Sequence, residues 1–449
     1  MHTKTFKNRL LLVFLVVLSL TSTPLYSQTQ AEKLTQKAND YFWGTNGVYM
    51  NKEQAFKLWL QAAKLGNPEA QYRTAERNVN ISAKERLVWV RKSVEQGYAP
   101  AMYILSLYYQ DGLLGLQQDY HQARYWAKTS ADKGYPDAMR VYAYWCFAGV
   151  DRAANVKEGL KYYEEVTNKL FDDYNSNYRL KNADESTCER IIYNYDLKYL
   201  ITTLCDLYDK GEVNLDFSGT ENWDGDTIFT CKIQTNKDGD KWAYWVPRGA
   251  VVGIPECQFQ YGLAYFDEPD NTEEEKKGIE WIKKAGDQGH ETACLLLTKL
   301  YYGQFTDRQN YKNISLAIEW ARKGTKLKVP ECCWLLSELS TENGSGIDTA
   351  EQIAALECAA AQGYENAIAD LIFLYPLTKF PMKVNVTGDD WERLVEKGNL
   401  RAMAWAGITS FVTGNHYEGK AASKEYIRRA ARGGDRVGLE AAKSYKIRY

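Results

Sequence analysis

A short pattern of small residues around a glycine recurs along this chain, and it limits the possible folds more than any other feature. The stretch WAKTSADKGYPDAM, residues 126–139, contains one copy, in which Ser130 and Ala131 precede Gly134 and Ala138 follows it. Copies centre on nine junction positions, 66, 97, 134, 253, 289, 328, 363, 398 and 434, which lie 31 to 39 residues apart outside one large gap. Such an interval is typical of an array of helix pairs, in which each unit buries its apolar face against its neighbours.

The residue types in each unit predict two helices, with helix A following the junction and helix B preceding the next one. Apolar residues three and four apart, as in AMYILSLYYQDG and DYHQARYWAKTSADKG, indicate amphipathic helices. Glycine at the junction permits the left-handed backbone that ends helix B. Proline is harmless at the start of helix A, where its missing N–H has no helical partner. Prolines at this place are Pro68, Pro100, Pro136, Pro255 and Pro330.

These units resemble the Sel-one-like repeat (SLR) family, a group of α/α solenoids related to tetratricopeptide repeats. The resemblance covers about 50–166 and 245–449, and it implies an all-α fold, a right-handed solenoid of helix pairs. The chain departs from the pattern at Lys328, which replaces the junction glycine, and before Gly363, where the aromatic residue is missing. Members of the family act as adaptors in signalling or envelope assembly, so the resemblance implies a protein-binding role.

The repeat is interrupted over 167–250. The stretch ERIIYNYDLKYLITTLCDLYDKGE has helical spacing, whereas DTIFTCKIQTNKDGDKWAYWV alternates on both sides of NKDGD and predicts a β-hairpin. Pro247 argues against a normal helix just before the solenoid resumes near Gly253. The predicted organisation is therefore a signal peptide at 1–27, N-terminal repeats at 28–166, a divergent insertion at 167–250 and C-terminal repeats at 251–449.

The amino terminus has the layout of a secretory signal peptide. Lys4, Lys7 and Arg9 precede an apolar run from Leu10 to Leu20, and the favoured cleavage site follows Ser27. The run is shorter than the roughly 20 apolar residues that span a bilayer, so no membrane span is expected after signal removal. The sequence predicts an exported protein, in the periplasm or at the cell surface of a bacterium, with the lumen of the endoplasmic reticulum as the alternative.

Nine cysteines in an exported chain raise the question of disulfides. The odd number leaves at least one thiol unpaired, and Cys257 and Cys332 stand at a repeat position that other units fill with alanine. The favoured interpretation is that the cysteines are small buried hydrophobic residues. The alternative is one or two disulfides that involve Cys188, Cys205 or Cys231.

The sequence contains no constellation typical of an enzyme. Ser130 and Lys133 have the S-x-x-K spacing of serine hydrolases that act on β-lactams, but both stand at structural positions of the repeat and no K-T-G element accompanies them. The few histidines lack metal-ligand spacing, so no metal site and no cofactor are predicted. The net charge of −2 argues against nucleic acid as a partner.

Aromatic residues on helix A are the candidates for binding. Counted from the junction, positions +4, +8 and +12 share one face, whereas positions +6 and +10 point away from that face. The candidate residues at +6 or +10, predicted to line a concave groove, are Tyr103, Arg140, Tyr144, Phe259, Trp334 and Phe373. The alternative is that these rings pack between neighbouring A helices.

Two functions remain at this stage. The favoured one is an exported, non-catalytic scaffold or adaptor that binds a protein or peptide through a solenoid surface. The other is an envelope hydrolase or a binder of β-lactams or peptidoglycan fragments. Some cysteine-rich SLR proteins have that second activity, but this chain lacks their paired cysteines. The oligomeric state and the role of the insertion stay open.

Overall fold

The computed structural model describes residues 30–78, 80–179, 197–216, 230–267, 272–374, 383–385, 387–413 and 420–449. It is built from helices, with one two-stranded sheet in the described part. The first unit holds the helices α1 (30–43), α2 (Lys52–Lys64), α3 (Pro68–Arg77), α4 (Ala83–Glu95), α5 (Ala99–Asp111), α6 (Tyr120–Asp132), α7 (Pro136–Ala148), α8 (Val156–Arg179) and α9 (Leu197–Lys210), the strands β1 (Glu212–Asp216) and β2 (Thr230–Gln234), and the start of α10 (Gly239–Val251).

The second unit continues with α11 (Pro255–Asp267), α12 (Thr272–Asp287), α13 (Glu291–Tyr302), α14 (Ile314–Lys326), α15 (Pro330–Leu339), α16 (Thr349–Ala360), α17 (Glu365–Leu374), α18 (Gly388–Glu396), α19 (Leu400–Thr413), α20 (Lys420–Arg432) and α21 (Arg436–Ser444). A single turn of 3₁₀-helix, Gln309–Tyr311, precedes α14. The two compact units meet in the chain between Trp245 and Val246.

Successive helices pack against each other as A and B pairs within each unit. The A helices are α3, α5 and α7 in the first unit and α11, α13, α15, α17, α19 and α21 in the second. Each pair buries alanines and larger apolar side chains between its own helices and those of the next pair. The prediction of an all-α solenoid of helix pairs is confirmed.

Every predicted junction adopts the left-handed backbone. The φ angles at the nine positions lie between 61° at Lys328 and 95° at Gly66. Lys328 therefore takes the same conformation as the glycines, although its Cβ makes that conformation unfavourable. Helix A begins at Pro68, Pro136 and Pro330, two residues after the junction. This confirms the prediction that these prolines stand at the start of helix A.

At two of the corners between helices B and A, small residues at positions −4 and +4 allow the helices to approach closely. At one corner the two positions hold Gly324 and Cys332, and a Cβ added to Gly324 would lie 2.3 Å from the Cys332 Sγ. At another they hold Ala430 and Gly438, and a Cβ added to Gly438 would lie 2.6 Å from the Ala430 Cβ. At these two corners, the larger residue on one helix faces a glycine on the other.

Two serines at position −4 use their hydroxyl groups to connect repeats. The Ser93 Oγ donates to the Pro68 carbonyl at 2.7 Å, and the Ser130 Oγ donates to the Ala99 carbonyl at 2.7 Å. Both acceptors lie at position +2 of the preceding helix A, and both serines are completely buried. Ser130 is thus part of the repeat framework, as the sequence indicated, and its hydroxyl faces a backbone carbonyl.

The insertion contains the expected strand but not the expected hairpin. β2 pairs antiparallel with β1, from Glu212 opposite Gln234 to Asp216 opposite Thr230. The segment after NKDGD, predicted as the second strand, is instead helix α10, with Pro247 inside it. Asp238 begins this helix, since its carboxylate accepts the Lys241 amide at 3.0 Å. The alternating aromatics of KWAYWV misled the prediction, because helix capping and burial of Trp245 favour a helix.

The cysteine side chains that the structure describes carry free thiols. Cys257 and Cys332 are buried in the positions that the sequence assigned to them, and Cys205 is free and buried as well. Cys188 lies outside the described residues, and the side chain of Cys231 does too. The predicted signal peptide also lies outside the described residues. Among the helices described, none has both the length and the apolar character needed to cross a membrane.

Candidate functional site

Aromatic side chains on the A helices form a ladder that links one repeat to the next. In each contact the ring at position +6 packs against the ring at position +1 of the following repeat, with centroids 4.5 to 5.7 Å apart. The pairs are Tyr72 with Tyr98, Tyr103 with Tyr135, Phe259 with His290, and Trp334 with Tyr364. Each +6 ring therefore packs against the ring at the start of the next A helix. Such packing between neighbouring A helices is the alternative to rings that line an open groove.

In the first unit the three predicted site residues lie together. The guanidinium of Arg140 lies 6.0 Å from the centre of the Tyr144 ring and close enough to Tyr103 to interact electrostatically. Burial alone lowers the pKa of Arg140, but Tyr144, Tyr103 and Asp137 more than reverse this, so its pKa is raised. Tyr144 is buried, whereas Tyr103 and Arg140 keep part of their surface exposed.

Phe259, the first predicted residue of the second unit, is buried under His290. The two rings stack at 4.5 Å with an interplanar angle of 27°. The His290 Nδ1 accepts the Ala293 amide at 3.2 Å, so the Nε2 carries the proton and donates to the Glu256 carboxylate at 2.8 Å. Phe259 thus has a packing role at the start of α13.

The other two predicted residues, Trp334 and Phe373, meet a buried carboxylate that sequence reasoning missed. Asp370 accepts the Trp334 indole N–H at 3.0 Å and the Trp405 indole N–H at 2.7 Å. Phe373 stacks on Trp405, with ring centroids 3.7 Å apart and an interplanar angle of 13°. Burial raises the pKa of Asp370 to about 6, although Arg401 and the two indoles oppose the rise.

Arg401 connects four successive A helices. Its side chain is 2% exposed, and its nitrogens lie 3.1 Å from Glu338, 3.7 Å from Asp370 and 3.0 Å from Asp435. These three carboxylates stand on or beside α15, α17 and α21, and Arg401 stands on α19. Burial alone lowers the pKa of the guanidinium, but the three carboxylates raise it well above its usual value.

In the second unit, the last A helix, α21, contacts the second A helix, α13, through a side chain. Arg436, on α21, donates to the Tyr302 hydroxyl at 2.7 Å and to the Thr341 hydroxyl at 2.6 Å. It also pairs with Glu342 at 3.4 Å. Tyr302 is the last residue of α13, and four junctions separate it from Arg436 in the sequence. The stack of A helices therefore curves enough for the Arg436 side chain to reach α13.

These A helices enclose a cleft, called the inner cleft below, of about 360 Å³. It is lined by Ser337, Glu338, Thr341, Gln352, Asp370, Leu374, Arg401, Trp405, Ile408, Arg436, Val437, Glu440, Ala441, Ser444 and Tyr445. Apolar side chains, an indole and charged groups of both signs are combined in one concave surface. Such a surface can bind a side chain by packing, by hydrogen bonds and by ion pairing.

The inner cleft lies beside the predicted residues rather than on them. Trp334 and Phe373 reach it through their contacts with Asp370 and Trp405. The sequence did carry a signal for Asp370 and Arg401, since each is a charged residue inside an apolar helical stretch, AIADLIFL and LRAMAWAG. Charged groups in such positions are almost always paired when buried.

A wider groove in the first unit involves the insertion. It measures about 810 Å³ and is lined by Val156, Lys157, Leu160, Lys161, Glu164, Glu165, Asn168, Gln234, Thr235 and Lys241. Lys241 pairs with Glu164 at 2.7 Å, and the Tyr208 hydroxyl donates to the same carboxylate. The groove is thus a polar surface between α8 and the end of β2.

Neither surface brings together a nucleophile and a base in the described contacts. Within the part of the chain that the structure describes, no three His, Cys, Asp or Glu side chains are placed to hold a metal ion. Ser130 is turned toward the Ala99 carbonyl and away from the surface. The geometry of the inner cleft is suited to recognition.

Comparison with known proteins identifies the repeats. The family model described as Sel1 repeat matches residues 41–67, 99–135, 136–165, 255–290 and 300–328. These matches include helices from both units. No curated protein matches the chain.

The chain is also similar to three solved structures of bacterial proteins. A protective antigen of uropathogenic Escherichia coli strains, which displays an SLR fold, is 20% identical, with a TM-score of 0.44 over 85% of this chain and 73% of that chain. A Sel1 repeat protein from Oxalobacter formigenes is 15% identical, with a TM-score of 0.36 over 80% of this chain and 91% of that one. An immunity protein from Pseudomonas aeruginosa is 14% identical, with a TM-score of 0.22 over 58% and 81% of the two chains.

Proposed function

Because this chain is a member of the Sel1-repeat family, we propose that it is an exported, non-catalytic scaffold that binds a protein or peptide at the inner cleft. Proteins built from these repeats are generally protein-interaction scaffolds. The observation that carries the proposal is the cleft itself, because four A helices contribute to one concave surface that combines Trp405 with charged groups.

The size and charge of the inner cleft indicate what it binds. A volume of about 360 Å³ accommodates one or two side chains of a partner, not a folded domain. Glu338, Asp370 and Glu440 face two guanidinium groups, so carboxylates outnumber cations in the lining. We therefore expect an extended segment that inserts an apolar or basic side chain into the cleft.

Export is supported by the amino-terminal sequence. Three basic residues, an apolar run and a small residue before Gln28 follow the order of a signal peptide. A secreted or periplasmic location exposes the repeats to partners in the cell envelope. A fusion of residues 1–40 to a reporter enzyme that is active only outside the cytoplasm tests this part of the proposal.

Site-specific photo-crosslinking tests the binding surface. A photoreactive amino acid at Ser444, on the wall of the inner cleft, is compared with the same residue at Glu425, which is exposed on α20, the helix B that precedes α21. We expect Ser444 to crosslink one defined peptide of an envelope protein and Glu425 to crosslink none of it. Equal crosslinking from both positions, or only from Glu425, would refute the cleft as the binding surface.

A further inference from the structure

Two cysteines of one repeat have their sulfur atoms in direct contact. Cys333 stands on α15, a helix A, and Cys358 on α16, the following helix B, and their Sγ atoms are 3.1 Å apart. A disulfide bond is about 2.05 Å long, so the sulfurs need approach by only about 1 Å more. We propose that Cys333 and Cys358 form an intramolecular disulfide that joins the two helices of this repeat.

Two other buried cysteines make hydrogen bonds to groups that are not thiols. The Cys294 Sγ lies 3.6 Å from the Gly286 carbonyl, and the Cys146 Sγ accepts from Arg124 at 3.2 Å. Cys332 adjoins Cys333 in sequence but points into the B–A corner beside Gly324. Cys333 and Cys358, by contrast, bring their two sulfur atoms into direct contact.

The order of the chemical steps follows from exposure. Cys358 is partly exposed, whereas Cys333 is completely buried in the apolar cluster around Leu356. Burial and the neighbouring thiol raise the pKa of Cys333 to about 12. A disulfide-bearing oxidant is thus attacked first by the Cys358 thiolate, which forms a mixed disulfide and releases one thiol of the oxidant.

Cys333 completes the reaction. After losing its proton, its sulfur attacks the Cys358 Sγ and expels the second thiol of the oxidant. Two cysteine thiols are oxidised and one disulfide of the oxidant is reduced to two thiols, so atoms and electrons balance. The oxidant is a small disulfide or a disulfide-exchanging enzyme of an oxidising compartment, and only this cellular source rests on the proposed export.

The disulfide stabilises one wall of the inner cleft. It encloses the loop between α15 and α16, and α15 carries both Glu338 and Trp334. Glu338 pairs with Arg401, and Trp334 donates to Asp370. Covalent attachment of α15 to α16 therefore keeps two supports of the buried ionic cluster in place.

Oxidation of the purified full chain with oxidised glutathione tests the proposal without reference to export. After oxidation, free thiols are alkylated under denaturing conditions and the chain is cleaved after glutamate. We expect a disulfide-linked pair of peptides, 332–338 with 358–365, and a higher unfolding temperature that dithiothreitol reverses.

Three variants locate the bond. Cys332→Ala is the matched control and keeps both the linked peptides and the temperature shift, whereas Cys333→Ala and Cys358→Ala lose both. Full alkylation of Cys333 and Cys358 after oxidation overturns the proposal, and so does a link that survives in Cys333→Ala. Failure of the reporter fusion with an intact disulfide in vitro would instead overturn export alone.

Discussion

The contact between Gly324 and Cys332 gives the most sharply defined test of the packing. A Cβ at position 324 would lie 2.3 Å from the Cys332 Sγ and 2.6 Å from its Cβ, so Gly324→Ala forces the two helices apart. Overpacking of this kind costs about 1–3 kcal/mol. Part of that is offset, because alanine is better than glycine inside a helix by about 1 kcal/mol. We expect a net loss of about 1 kcal/mol in the free energy of unfolding.

Removing the sulfur creates the opposite defect. Cys332→Ala leaves a small void beside Gly324 and costs about 1 kcal/mol in lost burial. The double variant restores the pair of alanines that the repeat already has at positions 359 and 367, both buried. The new Cβ then occupies the space of the sulfur, so the double variant should be about as stable as the original protein.

The coupling energy of this cycle is the quantity to measure. The gain in helix propensity from Gly324→Ala is present in both the single and the double variant, so it cancels in the cycle. The remaining coupling energy between positions 324 and 332 should be about 2 kcal/mol. Urea unfolding followed by ellipticity and tryptophan fluorescence supplies the four free energies. Cys332→Ala combined with Gly363→Ala is the control and should be additive. Additivity for positions 324 and 332 as well would refute the account of the B–A corner.

Three further predictions concern the backbone and the buried charges. Lys328 and Gly363 both have positive φ, which glycine tolerates better than residues with a Cβ. Lys328→Gly should therefore stabilise the protein by about 1 kcal/mol, and Gly363→Ala should destabilise it by a similar amount. Thermal unfolding measures both changes. Arg401→Met should cost about 3–5 kcal/mol by leaving buried carboxylates unpaired, whereas Arg428→Met, with a half-exposed partner, should cost less than about 1 kcal/mol; a smaller difference in urea unfolding would contradict the cluster. The pKa of Asp370 is raised to about 6, so the native state binds more protons than the unfolded state between about pH 4 and 6. The stability due to this group is thus fully present at low pH and lost as the pH rises through 6, and the fall should be absent in Asp370→Asn, as urea unfolding at a series of pH values will show.

The junctions could be predicted because their physical requirements are local. A helix end in the left-handed conformation, a proline two residues later and small residues at −4 and +4 are all determined within about a dozen residues of sequence. The same reasoning placed Lys328 correctly, since its neighbours keep the spacing even though the glycine is lost.

The inner cleft could not be predicted because it depends on curvature over several repeats. Arg401 and Asp435 come within 3.0 Å only when successive A helices are stacked in a particular register. The two residues stand at different positions of their repeats, so no fixed spacing in the sequence identifies them as partners. Arg436 and Tyr302 are even further apart in the chain, and their contact reflects the accumulated rotation of the stack.

The insertion was misread for a different reason. Alternating aromatics in KWAYWV satisfy a strand pattern, but the carboxylate of Asp238 caps a helix at that point. β2 pairs with β1, which lies upstream across residues 217–229. That stretch contains Ser-Gly and Asp-Gly dipeptides, but it is longer than the roughly two to five residues of a typical hairpin loop. Short apolar runs do not distinguish a strand from a buried helix by periodicity alone.

Binding of the crosslinked segment to cleft variants tests the central claim most directly. The peptide identified by photo-crosslinking at Ser444 is synthesised and titrated calorimetrically into three proteins, the original chain, Ser444→Trp and Glu425→Trp. If the inner cleft is the binding surface, Ser444→Trp fills it and weakens the affinity at least tenfold, or by about 1.4 kcal/mol, while Glu425→Trp binds like the original chain. Equal affinity for all three proteins would contradict a scaffold that acts through this cleft.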